Sequence, residues 1–244
     1  MKICAIIPSH NHHKELASIV RRLRDAKLFV YIIDDGSAEP ARSSLAAHHD
    51  PAKDVIVYRQ DSNLGKGSAV ITGFRLALAG GFTHALQVDA DGQHDLSVVP
   101  EFLALATKYP EGLICGEPLY DSSVPMGRKI GRWITHVWVW IETLSFRIAD
   151  SMCGFRIYPL AAVERLLAQE KVGTRMDFDT DMMVRLFWRG VAPVARQVRV
   201  TYPPENLSNF DLLRDNWRIT KMHTRLFLTM LARLPKVLAQ RPPC

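Results

Sequence analysis

Two carboxylates and one amide lie within five residues of each other, directly after an apolar run. Asp89 and Asp91 follow residues 85–88, and Gln93 comes after the turn at Gly92. Mg²⁺ typically binds one or two carboxylates together with phosphate oxygens of a substrate. The spacing therefore predicts a metal site at the end of a buried strand. Asp-Gly and Asp-Gln are also good turn formers, so an isolated Asp-x-Asp more often marks a turn than a metal site.

Composition indicates a globular protein with one large or two small domains. The 244 residues include 48% hydrophobic and 23% charged side chains, and four widely scattered cysteines without zinc-ligand spacing. Such a composition is ordinary for a soluble fold, and reduced thiols are expected. No signal-peptide pattern opens the chain and no apolar run is long enough to span a membrane. These observations predict a cytoplasmic protein.

The net charge of +6 belongs to the carboxyl-terminal segment. Residues 214–241 contain seven basic side chains and one acid, so the rest of the chain is electrically balanced. A general polyanion-binding surface is not indicated. Few aromatic residues are interleaved with these cations, which argues against nucleic acid as a partner.

Apolar runs alternate with helical patterns along the first part of the chain. Strands are predicted at residues 2–8, 28–33, 55–58 and 83–88, with helices at about 13–26 and about 63–79. Such alternation favours an α/β fold with a mostly parallel sheet covered on both faces. Ligands bind outside the carboxyl ends of such strands, so the polar residues that follow each strand are expected to surround one crevice.

Further elements are predicted in the second half. Residues 113–116 and 194–202 are expected to be strands, the latter at a sheet edge, and residues 118–131 are expected to form a basic loop. Residues 212–238 have the pattern of a basic amphipathic helix, which suits an anionic membrane surface. A helix docked on the main domain with a solvated basic face is the other interpretation.

Four segments, taken together, resemble one family. They are Pro-Ser-His-Asn at 8–11, Asp-Asp-Gly-Ser at 34–37, Asn-Leu-Gly-Lys-Gly at 63–67 and Asp-Ala-Asp-Gly-Gln at 89–93. Their order and spacing are similar to those of family 2 glycosyltransferases, and most similar to the dolichyl-phosphate mannosyltransferase-like branch. The likeness covers residues 2 to about 202. It implies a GT-A fold, with the glycosyltransferase domain at residues 1–204 and a helical extension at 205–244.

The resemblance also implies an activity. It is the inverting transfer of a sugar from a UDP- or GDP-linked donor, with Mg²⁺ or Mn²⁺, to a lipid-linked acceptor such as a polyprenyl phosphate. The enzyme would work in the cytoplasm, peripherally on the inner face of the membrane. Two alternatives are a nucleotidyltransferase on the same sheet and a peripheral membrane-binding module led by the carboxyl-terminal helix. The first lacks the expected glycine-rich loop after strand one.

The resemblance assigns five residues to the nucleotide sugar. Pro8 and Asn11 would line the base pocket, Asp35 would hold the base or ribose, and Lys66 would lie near the nucleotide. Glu15 is assigned less directly, because relatives often have glutamate immediately after the asparagine and this chain has three residues between them. From the residues alone, the glycines around Lys66 could hold a phosphate at a helix start, and a simple helix entry explains them equally well.

For the metal and the reaction, the resemblance places Asp89 near the ribose and metal. It makes Asp91 the principal metal ligand and a catalytic residue, and Gln93 would complete the metal site. Asn209 stands where relatives often have histidine, which would weaken a contact there.

For the acceptor, the resemblance points to Arg156 at the end of a Gly-Phe-Arg segment, and the basic loop suggests Arg128. Arg156 could equally be the partner of a buried acid. Asp181 occupies the place of an acid near the acceptor and would remove a proton from a hydroxyl, whereas a phosphate acceptor needs no base. The helix dipole alone also explains an acid at that helix start.

Overall fold

The computed structural model describes residues 1–120, 126–201 and 211–235. Within them, one sheet contains β1 (Ile3–Ser9), β2 (Phe29–Asp34), β3 (Val55–Arg59), β4 (His84–Gln87), β5 (Leu113–Tyr120), β6 (Arg156–Pro159) and β7 (Pro193–Val200). Their order across the sheet is β3-β2-β1-β4-β6-β5-β7. Strands β1 to β4 run parallel, whereas β6 runs antiparallel to both of its neighbours. The predicted α/β architecture and the edge position of β7 are confirmed.

Eight helices flank the sheet in the described part of the chain. They are α1 (Leu16–Asp25), α2 (Ala41–Ala46), α3 (Lys66–Ala79), α4 (Val99–Lys108), α5 (Met126–Thr143), α6 (Leu160–Gln169), α7 (Phe178–Trp188) and α8 (Leu212–Ala232). Side chains alternate across a strand, so Cys4 and Ile6 enter one core and Ala5 and Ile7 enter the other. Both faces of β1 are therefore buried, which explains why its sequence is apolar throughout.

The direction of β6 adds a segment to the functional edge of the sheet. Arg156, at the start of β6, pairs with Gln87 at the end of β4. The chain before β6 therefore arrives at the edge where β1, β2 and β4 end. At this same edge, an isolated bridge joins His94 to Val200 at the end of β7.

The predicted loop at residues 118–131 differs from the structure. Strand β5 extends to Tyr120 and α5 begins at Met126, so Arg128 belongs to a helix. Proline and glycine in this region favoured a loop, but proline is tolerated just before a helix. Apolar residues from Ile130 onward have helical spacing, which favours the helix α5 over a loop.

The chain end is described in part. Helix α8 contributes Met222, Leu226 and Met230 to the core cluster that also contains residues of α7. Residues 202–210, which include Asn209, lie outside the described residues, as do residues 236–244.

Two helical glycines allow a test of this packing. A Cβ atom at Gly73 in α3 would lie 2.4 Å from Cγ2 of Ile6 in β1, whereas one at Gly131 in α5 would meet nothing within 4 Å. Alanine favours a helix over glycine by about 1 kcal/mol, but overpacking a core costs about 1–3 kcal/mol. We expect Gly131→Ala to raise the free energy of unfolding measured in urea and Gly73→Ala to lower it. A Gly73→Ala protein at least as stable as the wild type would contradict the described α3–β1 contact.

Candidate active site

The loops that follow β1 and β2 are joined by side-chain hydrogen bonds. The backbone N–H of Asn11 donates to Ser37 Oγ at 2.9 Å, and the Asn11 side-chain oxygen accepts from the N–H of Ala38, also at 2.9 Å. Asn11 has a φ of +60°, a left-handed conformation that asparagine adopts more readily than most residues. Asn11 therefore holds two strand ends together and remains exposed at the edge of the sheet.

Asp35 fastens a third loop to the same edge. Its two carboxylate oxygens accept hydrogen bonds from the backbone N–H groups of Leu64 and Gly65, at 2.7 and 2.8 Å. Only 2% of Asp35 is exposed. Both oxygens therefore hold the loop that leads into α3, and the expected contact with a base or ribose stays a prediction.

Lys66 is the central cation of the site. Its Nζ atom lies 2.7 Å from Oδ1 of Asp89 and 2.9 Å from Oδ2 of Asp179. The other oxygen of Asp179 accepts a hydrogen bond of 3.0 Å from the amide of Gln87. Lys66 begins α3, Asp89 follows β4 and Asp179 lies in the first turn of α7, so three elements distant in sequence meet through one ammonium group.

Burial and the neighbouring charges shift the pKa values of Lys66, Asp89 and the nearby Asp91. Burial alone would lower the pKa of Lys66, but the charges of Asp179 and Asp89 raise it above its ordinary value. Burial would raise the pKa of Asp89, and the charge of Lys66 lowers it instead. The pKa of Asp91 is raised, first by burial and then by the neighbouring charge of Asp89. Lys66 and Asp89 are therefore held ionised, whereas the charge on Asp91 is the least compensated.

Gly154 lets the backbone before β6 approach this cluster closely. A Cβ atom there would lie 2.7 Å from Lys66 Nζ, 2.8 Å from Asp89 Oδ2 and 2.8 Å from Gln87 Nε2. Real Cβ atoms do not approach heavy atoms this closely, so a side chain at this position would displace the ends of these three side chains. The segment at residues 150–155 thus forms one wall of the site.

The start of α3 is covered rather than open. A Cβ atom at Gly65, which has a φ of +104°, would lie 2.6 Å from the carbonyl oxygen of Thr174. The backbone N–H of Ser68 donates to that same carbonyl at 2.9 Å. The glycines around Lys66 therefore accommodate the segment before α7, and the helix-entry interpretation describes them better than a phosphate site at this helix start.

The acidic segment at residues 89–93, which follows β4, contains side-chain oxygens of the kind that bind Mg²⁺. Asp91 and Gln93 are half-buried, and the backbone N–H of Gln93 donates to Asp91 Oδ1 at 3.1 Å. A Cβ atom at Gly92 would lie 2.9 Å from Cγ of Glu15, so the segment lies against the start of α1. Among the described residues, no group of three His, Cys, Asp or Glu side chains forms a ready metal cage. Mg²⁺ usually completes its shell with water and ligand oxygens, so the metal role predicted for Asp89 and Asp91 stays a prediction.

A family model decides the classification. The model described as "Glycosyl transferase family 2" matches residues 4–170, which include the ends of β1 to β4 and the acidic segment. The chain belongs to glycosyl transferase family 2. This membership makes the protein a glycosyltransferase. It argues against the two alternatives, a nucleotidyltransferase and a membrane-binding module without enzymatic activity.

Curated relatives support the dolichyl-phosphate mannosyltransferase-like branch of the family. An undecaprenyl-phosphate mannosyltransferase from Micrococcus luteus is 27% identical over 192 residues, covering 76% of this chain and 77% of its own. A UDP-N-acetylglucosamine–dolichyl-phosphate N-acetylglucosaminyltransferase from Methanococcus voltae is 26% identical, covering 68% of this chain and 73% of its own.

Solved structures confirm the GT-A fold. Glucosyl-3-phosphoglycerate synthase from Mycobacterium tuberculosis, in complex with Mn²⁺ and UDP-glucose, superposes with a TM-score of 0.65. The match covers 95% of this chain and 78% of the synthase, with 14% sequence identity. At this identity the similarity establishes the fold of the chain and not its ligands.

Arg156 does not face an acceptor in this glycosyltransferase. It is fully buried, and its guanidinium donates to the backbone oxygens of Asp179 at 2.6 Å and Ser151 at 2.7 Å. Arg156 therefore positions the helix start that carries Asp179 and the wall that carries Gly154. The sequence pattern could not show which way the arginine points.

Asp181 is also held away from the site. It is fully buried, and its carboxylate pairs with Arg185 at 2.6 Å and with Arg225 of α8 at 2.5 Å. The backbone N–H of Gly173 donates to it at 2.7 Å. With its oxygens occupied in this way, Asp181 is placed to hold α7 and α8 together and not to remove a proton from an acceptor.

Two predicted residues remain, Pro8 and Arg128. Pro8 is buried within β1 and pairs with Ile33, so it underlies the site without lining it. Arg128 is in α5, and its side chain lies outside the described part of the structure.

Sequence reasoning missed Asp179 and His94. Asp179 was hidden among neighbouring acids, and its position could not distinguish it, because Asp181 shares the first turn of α7. His94 stacks on Phe155 with ring centroids 5.4 Å apart, and its Nε2 lies 3.5 Å from Sγ of Cys153. The adjacency of His94 to the acidic stretch was its only signal in the sequence.

The ion pairs of Asp181 predict that its removal costs more stability than removal of Asp177, which directly precedes α7. Removing one partner of a buried ion pair costs about 3–5 kcal/mol, so Asp181→Asn is expected to lower the free energy of unfolding in urea by about 3 kcal/mol or more. Asp177→Asn is the matched control, because burial already raises the pKa of Asp177 and favours its neutral form. At temperatures where Asp181→Asn remains folded, kcat should be nearly unchanged. A fall of about 100-fold in kcat with unchanged stability would restore Asp181 as a general base.

Proposed function

We propose that this glycosyltransferase moves a sugar, with inversion, from a nucleotide-diphosphate sugar to a polyprenyl-phosphate-like acceptor, using Mg²⁺ or Mn²⁺. The observation that carries the proposal is the meeting of Asp89, Asp91 and Lys66 at the end of β4. The loops after β1 and β2 are joined beside them. This edge of a parallel sheet is where α/β proteins bind nucleotides.

The donor set suits a diphosphate-bound cation. Asp89 and Asp91 would supply carboxylate oxygens, with Gln93 as a neutral third donor. When bound, the metal would act as a Lewis acid that neutralises charge developing on the leaving nucleotide diphosphate. The pKa of Asp91, raised by burial and by Asp89, supports this assignment, because an uncompensated carboxylate gains most from a cation.

The protein groups around the acids prepare the site at neutral pH. Lys66 lowers the pKa of Asp89 and so keeps that carboxylate ionised. Gln87 and Arg156 hold Asp179 in place from its side chain and its backbone, respectively. A rigid, pre-ionised site avoids reorganisation when the donor binds.

The proposed acceptor agrees with the placement of Asp181 away from the site. A phosphate acceptor is already ionised, so no side chain has to remove its proton. The relatives named for undecaprenyl phosphate and dolichyl phosphate support this acceptor class. One of those names specifies a UDP-linked donor and the other a mannosyl group, so both UDP-linked and GDP-linked donors have to be tested.

An acceptor carried by a lipid requires the enzyme to work at a membrane. Among residues 1–120, 126–201 and 211–235, no helix is both long and apolar enough to cross a bilayer. We place the enzyme peripherally, on the cytoplasmic inner face, where a soluble nucleotide sugar and a lipid acceptor can both reach it.

Calorimetry with UDP-glucose, UDP-N-acetylglucosamine and GDP-mannose in the presence of Mn²⁺ tests donor binding. We expect one donor to bind the wild type, and Asp91→Asn to weaken binding about 10- to 100-fold, the effect of losing one charged contact. Asp25→Asn is the control, since Asp25 is an exposed acid at the end of α1. Transfer of the bound sugar to a polyprenyl phosphate, followed by product extraction, then tests the acceptor. Failure of all three donors to bind, or an unaffected Asp91→Asn protein, would reject the proposal.

A further inference from the structure

The acidic segment carries little net charge once its neighbours are counted. Three carboxylates and two cations meet there: Asp89, Asp91, Asp179, Lys66 and Arg156. One net negative charge therefore remains. Sites that hold a divalent cation on protein ligands alone gain affinity from the number of charged ligands. A net charge this small is a poor match for a free dication.

Lys66 is held beside Asp89 by a second partner that is itself fixed. Asp179 lies 2.9 Å from the Lys66 Nζ atom, and its other oxygen accepts from the Gln87 amide at 3.0 Å. On a further side, a Cβ atom at Gly154 would lie 2.7 Å from Nζ, so the chain there leaves no room for a side chain. The ammonium group is therefore confined next to Asp89 Oδ1, at 2.7 Å.

A metal ion on the Asp89 carboxylate would have this ammonium group as a close neighbour. Mg²⁺ binds oxygen at about 2.1 Å, so the ion would lie only a few ångströms from Lys66 Nζ. Repulsion between two cations at such a distance is larger in a protein site than in bulk water. A diphosphate that binds the same metal brings negative charge and offsets the repulsion.

We propose that Lys66 prevents Asp89 and Asp91 from binding a metal ion alone, so that the metal enters together with the nucleotide diphosphate. Asp179 is the positioning residue that keeps the ammonium group in place. The inference deepens the proposed function and rests on it, because it requires the same metal and the same donor. By linkage, the nucleotide strengthens metal binding by the factor by which the metal strengthens nucleotide binding.

A purely structural role for Lys66 predicts the opposite change in metal affinity. If Lys66 only held Asp89 in position, its removal would misplace a metal ligand and weaken metal binding. If Lys66 acts as an internal competitor of the metal, its removal takes away a like charge and strengthens the binding of the free ion. The sign of the change therefore separates the two roles.

Titration of the full chain with Mn²⁺ tests the inference, with electron paramagnetic resonance reporting the free ion. Binding is measured with Mn²⁺ alone, with UDP added and with GDP added. We expect one of the two nucleotides to tighten Mn²⁺ binding to the wild type about tenfold or more. Lys66→Met should bind Mn²⁺ alone about tenfold more tightly than the wild type, and the nucleotide should then add correspondingly less.

A second comparison avoids leaving a buried acid without its cation. In Asp179→Asn, Lys66 keeps Asp89 as its partner and position 179 carries no charge. We expect the double variant Lys66→Met/Asp179→Asn to bind Mn²⁺ alone about tenfold more tightly than Asp179→Asn. The control is Lys53→Met, which removes a cation that is 80% exposed and paired with Asp50, before the start of β3. It should bind Mn²⁺ like the wild type.

The role of Lys66 is rejected if the double variant binds Mn²⁺ no more tightly than Asp179→Asn. It is also rejected if the wild type binds Mn²⁺ alone as tightly as with either nucleotide. In both cases, tight binding of Mn²⁺ with a nucleotide would leave the proposed function standing. A wild type that binds no Mn²⁺ under any of the three conditions would overturn the metal of the proposed function together with this inference.

Discussion

The ion pairs of Lys66 hold the working edge of this protein together. Asp89 and Asp179 come from opposite halves of the sequence. Asp179 is buried and Asp89 is half-buried, so a nearby cation favours the ionised form of both carboxylates. Lys66 compensates both charges at once, and Gln87 and Arg156 complete the hydrogen bonding around Asp179. The position of the acidic segment at residues 89–93 therefore depends on the start of α3 and on the first turn of α7. It depends on these helices as much as on β4, the strand that it follows.

Much of this arrangement was predictable from local sequence. Each of the first four strands is an apolar run, and polar residues follow where the run stops, so Asn11, Asp35 and Asp89 were expected at one edge. The fold then follows from the rule that parallel strands expose their carboxyl ends together. These signals are strong because strand burial and strand termination are both set by neighbouring residues.

The roles of Arg156, Asp181 and α5 could not be predicted in this way. Which acid of α7 faces the site depends on how α7 is rotated against Lys66. That rotation is set by the ion pairs of the buried Asp181 with Arg185 and Arg225. The direction of β6, antiparallel within the sheet, turns Arg156 beneath the site. The exposed apolar side of α5 has the same periodicity as a buried one, so a sequence pattern cannot tell which side faces the core.

A double-mutant cycle between Lys66→Met and Asp179→Asn tests the central interaction most directly, with the free energy of unfolding in urea as the readout. Residues in direct ionic contact show coupling of about 0.5–3 kcal/mol. We predict that the double variant is more stable, by about 1 kcal/mol or more, than the sum of the single effects requires. The same cycle between Lys66 and the distant Asp25 should be additive. Additive behaviour of Lys66 and Asp179 would mean that the two residues do not interact, and would contradict the role of Lys66 as the cation that joins α3, α7 and the acidic segment.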